Sequence, residues 1–204
     1  MLLQIHPVNP EERKIKIVTE CLKDGGVIIY PTDTVYAMGC DLYNHNAIEK
    51  MSRIKNIDVK AANYSLVCYD LSHLSDFVFS IDTPLYRVMK NTLPGAFTFI
   101  LKANSNVPKI FKSKKKTVGI RVPDNKICRM IVKELGNPIT ATSIHDIFDK
   151  DDYITDAEEI YELFENKVDI VIDGGYGHKT PSTILDCSDG EINITRQGLG
   201  IIDL

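Results

Sequence analysis

The sequence predicts an α/β domain with a largely covered sheet. Two observations carry this. Apolar runs of four or five residues, short enough to be buried strands, alternate with stretches of about ten residues whose apolar positions recur at helical spacing. Ser/Thr/Asp/Asn signals stand ahead of several of the helical stretches, and Gly or Pro closes them. The chain has 204 residues, 44% hydrophobic and 25% charged, which is ordinary for a soluble globule and enough to bury a core without metal or disulfide staples. One domain, 1–204, is the expected organisation; there is no repeat, low-complexity segment or Ser/Gly linker.

Along the chain, Asn9 is placed to cap a first helix, with Pro10 at its first position and Ile15, Val18, Cys21 and Leu22 as its apolar stripe. Gly25-Gly26 ends that helix. Val27 to Tyr30 reads as a buried strand, stopped by Pro31 and followed by the polar loop Thr32-Asp33-Thr34. Asn46 and Glu49 form a capping box ahead of Ile48, Met51 and Ile54. Leu66 to Tyr69 is a strand, and Thr83-Pro84 opens a helix that Pro94-Gly95 breaks. Phe97 to Leu101 and Val118 to Val122 are strands. Asp124 caps a helix bearing Ile127, Met130, Ile131 and Leu135, closed by Gly136. Ile139 to Thr142 is a short strand, and Thr155 with Glu158 caps a last helix. Val168 to Ile172, Thr183 to Leu185 and Ile192 to Thr195 complete the strands.

The net charge of −4 argues against a protein that coats nucleic acid by charge alone. The five cysteines are widely spaced with no C-x-x-C pair, so a zinc knuckle or thioredoxin-type motif is excluded; buried reduced thiols in a reducing cytosol are the expectation. No apolar run approaches the roughly 18 residues of a membrane helix, and the first residues lack the features of a signal peptide. A cytoplasmic protein without a membrane partner is expected.

The common nucleotide and hydrolase templates are missing: no G-x-x-x-x-G-K-[ST], no G-x-G-x-x-G after a strand, no G-x-S-x-G and no H-E-x-x-H. Hydroxyls and cations at strand ends remain. Thr32 and Thr34 follow one strand, Thr142 and Ser143 end another, Ser182 begins a third and Arg196 ends the last. Arg121 lies within an otherwise apolar strand, where an arginine needs an anionic partner, either an Asp of the protein or a ligand carboxylate or phosphate. Open α/β sheets bind ligands near strand ends, and this donor set favours an anionic ligand.

Six segments together resemble the YrdC/YciO family: Gly26 to Asp41 (GVIIYPTDTVYAMGCD), Pro94 to Ile100 (PGAFTFI), Gly119 to Pro123 (GIRVP), Ala141-Thr142-Ser143, Lys179 to Ile184 (KTPSTI) and Arg196-Gln197-Gly198. They span nearly the whole chain in order. The resemblance implies a YrdC/RibB-like fold: a twisted, open, mixed sheet with helices on its faces and a concave surface. It implies threonylcarbamoyl-AMP synthesis from L-threonine, bicarbonate and ATP with Mg2+, serving N6-threonylcarbamoyladenosine in tRNA. By position, Thr32, Thr34, Arg121 and Ser182 would contact threonine. Lys55, Lys60, Thr142, Ser143, His145 and Arg196 would face the nucleotide, with Lys55 and Arg121 closest to catalysis.

Where that family's synthases carry K-x-R-x-x-x-K, this chain reads Lys55 to Lys60 (KNIDVK), so Ile57 replaces the arginine and Lys60 matches only with a one-residue shift. His145 stands where the family has Asn, as a phosphate donor or a surface histidine. These departures, with Asn63 to Ser72 and Met89 to Gly95, resemble the YciO-type branch. Separately, Lys109, Lys112, Lys114, Lys115 and Lys116 crowd eight residues without an acid. They are either a solvated loop or a phosphate-backbone contact; the alternative function is therefore a tRNA- or double-stranded-RNA-binding protein of the same fold, contacting RNA through Lys112, Lys114, Lys115 and Lys116.

Overall fold

A computed structural model describes residues 1–59, 62–108, 116–144 and 153–203. The strands are β1 (Leu2–Gln4), β2 (Ile28–Tyr30), β3 (Ala37–Asp41), β4 (Ser65–Val67), β5 (Phe97–Lys102), β6 (Thr117–Arg121), β7 (Ile139–Ser143), β8 (Ile170–Asp173), β9 (Thr183–Asp186) and β10 (Asn193–Arg196). The helices are α1 (Glu12–Lys23), α2 (His45–Lys55), α3 (Leu71–Leu74), α4 (Thr83–Thr92), α5 (Lys126–Leu135) and α6 (Ala157–Phe164). All ten strands form one mixed sheet in the order β1-β8-β2-β3-β7-β4-β6-β5-β9-β10. The pairs β1/β8, β2/β8, β4/β6 and β5/β9 are parallel and the remaining neighbours antiparallel.

Alternation along each strand sends side chains to two cores. On one face Ile29, Met38, Leu66, Phe99, Ile120 and Val171 meet Ile48 and Met51 of α2, Met89 of α4, and Ile160 and Phe164 of α6. On the other, Ile28, Tyr30, Ala37, Val67, Ile139 and Ile172 meet Ile15, Val18 and Leu22 of α1 and Ile127, Ile131 and Val132 of α5. The second core stops short. It takes nothing from β5, β6 or β9, although those strands are in the sheet. Half of that face is thus without a helical cover among the described residues.

Every strand read from the sequence is present, and two more appear. β1 escaped because three residues pairing with β8 carry too little pattern. β3 escaped because Gly39 interrupts it, yet that glycine is required: a Cβ there would lie 2.6 Å from Ile139 and 2.8 Å from the Thr140 carbonyl oxygen.

The helix caps differ from expectation by one to a few residues. α1 begins after Glu11 rather than Asn9, because the His6 ring draws the preceding segment into a turn, its Nδ1 accepting from the Val8 and Asn9 N–H groups. Asn44, not Asn46, caps α2, accepting from the Ala47 N–H at 3.0 Å. Asn125, not Asp124, caps α5, accepting from the Cys128 N–H at 3.0 Å. Asp156, not Thr155, caps α6, accepting from the Glu158 N–H at 2.9 Å. At α2, α5 and α6 the neighbouring Asx side chain satisfies an exposed N–H of the first turn, whereas the Glu11 side chain makes no such bond at α1.

Candidate functional site

The uncovered half of the sheet holds a cavity of about 240 Å³ lined by Thr32, Ser65, Thr98, Arg121, Ser182 and Arg196, among others. Alternation again explains the set. Ser65 and Val67 on β4, Ala141 and Ser143 on β7, Arg121 on β6 and Thr98 on β5 all point away from the first core. Gly119 lies two residues before Arg121 on the same face, where a Cβ would come within 2.9 Å of Ser65 Oγ. The glycine keeps the pocket floor open.

Arg121 is fixed from behind. Its guanidinium donates to Asp33 Oδ1 at 2.8 Å and to Thr34 Oγ1 at 3.1 Å, with 11% of the Arg121 side chain and 9% of Asp33 exposed. Of the two partners left open by the sequence, the protein's own Asp is present. It does not use all the donors: Nε of Arg121 is buried without a hydrogen bond to the described residues. A buried, unused guanidinium donor beside a cavity is costly unless something fills it.

The threonines act as a relay. Thr32 Oγ1 donates to the Val35 carbonyl at 2.7 Å and accepts from the Thr34 N–H at 3.0 Å. Since the one Thr32 hydroxyl proton goes to Val35, Thr34 Oγ1, which accepts from Arg121, is the donor to Thr32 Oγ1 at 3.1 Å. Thr34 is fully buried and absent from the pocket lining, so it bears on the cavity through Arg121. Thr32 does line the pocket.

On the far wall, Ser182 Oγ and Thr98 Oγ1 share a hydrogen bond of 2.8 Å. Arg196 clamps the Ser182 carbonyl with Nε at 3.2 Å and Nη2 at 2.8 Å. Gly198 makes that approach feasible, since a Cβ there would strike the Ser182 carbonyl group and the Pro181 carbonyl oxygen. On the third side, Lys55 is buried at the end of α2 and donates to the Ser143 carbonyl at 2.8 Å. Thr142 and Ser143 line the cavity.

Of the residues expected at a site, Thr32, Arg121, Thr142, Ser143, Ser182 and Arg196 therefore meet at one cavity, with Thr34 and Lys55 one contact behind. Lys60, His145, Lys112, Lys114 and Lys115 lie outside the described residues, as do Lys109 and the acidic stretch 149–152. Lys116 is exposed, with a left-handed backbone at φ 55°. Sequence reasoning missed Asp33, Asn63, Ser65 and Thr98. Thr98 was reachable, because it sits in the PGAFTFI segment at an alternate position of its strand. Asp33 lies between the two threonines, but at 88 residues from Arg121 nothing in the sequence singles it out as that arginine's partner.

No cysteine can serve as a neutral-pH thiolate here. Burial pushes Cys128 up to about 12, only partly offset by Arg121. It pushes Cys68 and Cys187 to about 12, Cys21 to about 11, and Cys40 higher still. All five are free thiols, as the sequence led one to expect. Burial likewise holds the Tyr30 hydroxyl far above its ordinary range. None of these thiols lines the pocket, whose polar groups are hydroxyls, guanidiniums and the Asn63 amide, suited to binding and positioning. No helix among the described residues is long and apolar enough to cross a membrane.

The half-covered mixed sheet thus gathers fixed guanidiniums and hydroxyls around one cavity on its open face. The chain belongs to the Sua5/YciO/YrdC family, whose model, described as "Telomere recombination", matches residues 20–198. It is 40% identical over 198 residues to the uncharacterized protein YciO of Escherichia coli K12, covering 96% of this chain and 94% of that one. It is 29% identical over 182 residues to the threonylcarbamoyl-AMP synthase of Coxiella burnetii, covering 88% of this chain and 96% of that one. The crystal structure of E. coli YciO superposes with a TM-score of 0.92 at 40% identity over 98% of this chain and 97% of that one. The crystal structure of P. abyssi Sua5 complexed with L-threonine superposes with a TM-score of 0.88 at 25% identity, covering 97% of this chain but 57% of that one. The twisted, open mixed sheet implied by the sequence resemblance is thus the fold observed.

Proposed function

We propose that this protein is a threonylcarbamoyl-AMP synthase-like enzyme, joining L-threonine, bicarbonate and ATP, and that its product serves N6-threonylcarbamoyladenosine formation in tRNA. The observation that carries this is Arg121: a guanidinium held by Asp33 and Thr34 with a buried donor left over, facing a hydroxyl-lined cavity of small-metabolite size. The synthase named among the relatives and the threonine bound to P. abyssi Sua5 supply the chemical identity.

In this reading Arg121 takes the carboxylate of threonine, as a planar fork suits a carboxylate. Ser182 and Thr98 offer hydroxyls to its amine or side chain. The threonine amine adds to bicarbonate with loss of water, giving a carbamate. A carbamate oxygen then attacks the α-phosphorus of ATP, the bond to the bridging oxygen breaks, and pyrophosphate leaves with the electron pair. Such a displacement asks the protein for alignment and charge neutralisation, which Arg196, Lys55, Thr142 and Ser143 provide. Lys60 and His145 join them as nucleotide contacts.

The described residues do not form a resident Mg2+ site. No cluster of three His, Cys, Asp or Glu suited to a metal is present among them, and Asp33 beside the pocket has both oxygens engaged, by Arg121 and by the Asp124 N–H. In the proposed reading magnesium arrives with the substrate, as MgATP.

The test is pyrophosphate release from ATP and bicarbonate with and without L-threonine. Threonine-dependent release that disappears in Arg121→Ala supports the reading, and no threonine-dependent release above that control rejects it.

A further inference from the structure

A second cavity, larger than this pocket, lies elsewhere among the described residues. A groove of about 820 Å³ lies between α1 and α5, lined by Lys16, Lys126, Arg129 and Lys133 together with Met130 and Tyr69; Lys126 also donates to the Val8 carbonyl at 2.8 Å. We propose that this groove is a second binding site, taking a nucleotide-sized ligand that joins an aromatic ring to phosphate, and that it is coupled to Arg121 through Asp124 and Asp33.

Lys126, Arg129 and Lys133 are spaced at i, i+3 and i+7, which stacks them along one face of α5. The Arg129 guanidinium and the Lys133 ammonium stand over the Tyr69 ring, 5.2 and 5.4 Å from its centroid. The ring thereby gathers two cations beside an apolar surface. Arg129 is held by one donor, Nε to the Tyr69 carbonyl at 3.3 Å, and its terminal nitrogens make no hydrogen bond to the described residues. Two positioned cations can neutralise a phosphate, while Met130, Ile15 and the aromatic edge suit a flat, weakly polar base.

The groove also carries Glu12, Asp124 and Glu134. These carboxylates would repel a polyanion threaded along the helices. They tolerate a compact ligand whose hydroxyl or amino donors sit beside its phosphate, as in a nucleoside monophosphate.

Coupling follows from the residues just before α5. The Asp124 N–H donates to Asp33 Oδ2 at 3.0 Å, and the other oxygen of that carboxylate holds Arg121 at 2.8 Å. Asn125, the cap of α5, donates from its side chain to the Thr32 carbonyl at 3.4 Å. A ligand that shifts the start of α5 therefore acts on the carboxylate that positions the pocket arginine.

Equilibrium titration of the intact protein with AMP tests this without requiring turnover, so its outcome is separable from that of the synthase reading. AMP binding retained in Arg121→Ala and in Arg196→Ala, but weakened at least about tenfold in Arg129→Glu/Lys133→Glu and in Lys16→Glu on α1, supports the groove. Unchanged melting temperatures in those variants exclude a loss through unfolding. Saturating AMP should also change the threonine dissociation constant at least about threefold in the wild type and not in the double variant. Binding that is indifferent to the groove variants, or lost only in Arg121→Ala, overturns the proposal. So does a groove that captures a tRNA-sized RNA through the same residues while AMP does not bind.

Discussion

Arg121 and Asp33 form an ion pair of 2.8 Å in which nine-tenths of each side chain is out of water. The two come from opposite sides of the sheet order, Asp33 from the loop after β2 and Arg121 from the end of β6, with β3, β7 and β4 between their strands. The loop must cross the open face to reach the arginine, and that crossing closes the pocket on one side. Removing one member of a buried pair leaves the other charge uncompensated, which typically costs about 3–5 kcal/mol. Asp33→Ala should therefore lose roughly 3 kcal/mol of stability in urea unfolding and weaken threonine binding together with it. Unfolding indistinguishable from wild type would show that the pair does not hold the loop.

Arg121→Lys separates charge from geometry. The lysine keeps one positive charge and can face Asp33, but its tetrahedral ammonium lacks the planar fork that holds Asp33 and Thr34 at one end while presenting parallel N–H groups to a carboxylate. The expected result is a threonine KM raised at least about tenfold with a melting temperature close to wild type. A KM unchanged by the substitution would place the carboxylate site elsewhere.

Gly198→Ala probes the far wall. Its Cβ would meet backbone carbonyl atoms of Pro181 and Ser182, and backbone cannot swing aside as a long side chain can. Either β10 moves, releasing Arg196 from the Ser182 carbonyl, or the protein loses about 1–3 kcal/mol. Activity should fall in both cases, and full activity with an unshifted melting temperature would contradict the packing described.

How much of this was legible in the sequence depends on the range of the interaction. The strands and the α5 stripe were readable because burial imposes periodicity on neighbouring residues. Thr32, Ser182 and Arg196 stood out as hydroxyls and cations at strand ends. Cap positions slipped because Asn44 and Asn46, or Asp124 and Asn125, are chemically equivalent candidates, and only the course of the chain selects between them. The Arg121–Asp33 pair spans 88 residues, and nothing local marks which carboxylate will arrive. The same holds for the groove, since α1 and α5 are each ordinary amphipathic helices until they are packed side by side.

Asp169 gives a pH dependence remote from the pocket. Burial alone would raise its carboxyl, but the Lys50 ammonium at 2.6 Å and the Val27 N–H at 2.7 Å bring it below its ordinary value of 3.8. A depressed acid contributes stability above its unfolded value, and that contribution is lost as pH falls through the folded value. With more than a third of each partner exposed, solvent screening limits it to about 0.5 kcal/mol. Lys50→Met should thus reduce stability slightly at pH 7 and converge with wild type as acidification protonates the Asp169 carboxyl in the folded protein. Divergence of the two curves on acidification would reverse the sign argued here.

Ile57 offers the sharpest test of the synthase reading. It is 37% exposed, two residues beyond the buried Lys55 and immediately after Asn56, whose left-handed backbone at φ 53° ends α2. An arginine at this position meets no core, so Ile57→Arg should leave stability within about 0.5 kcal/mol. In the reading proposed, the nucleotide phosphates lie near Lys55 and Ser143, and an added guanidinium would neutralise charge that develops as pyrophosphate departs. Threonine-dependent pyrophosphate release should then rise about tenfold or more, with the gain in kcat rather than in threonine KM. A folded Ile57→Arg protein with an unchanged rate would mean that the phosphates do not pass this end of α2.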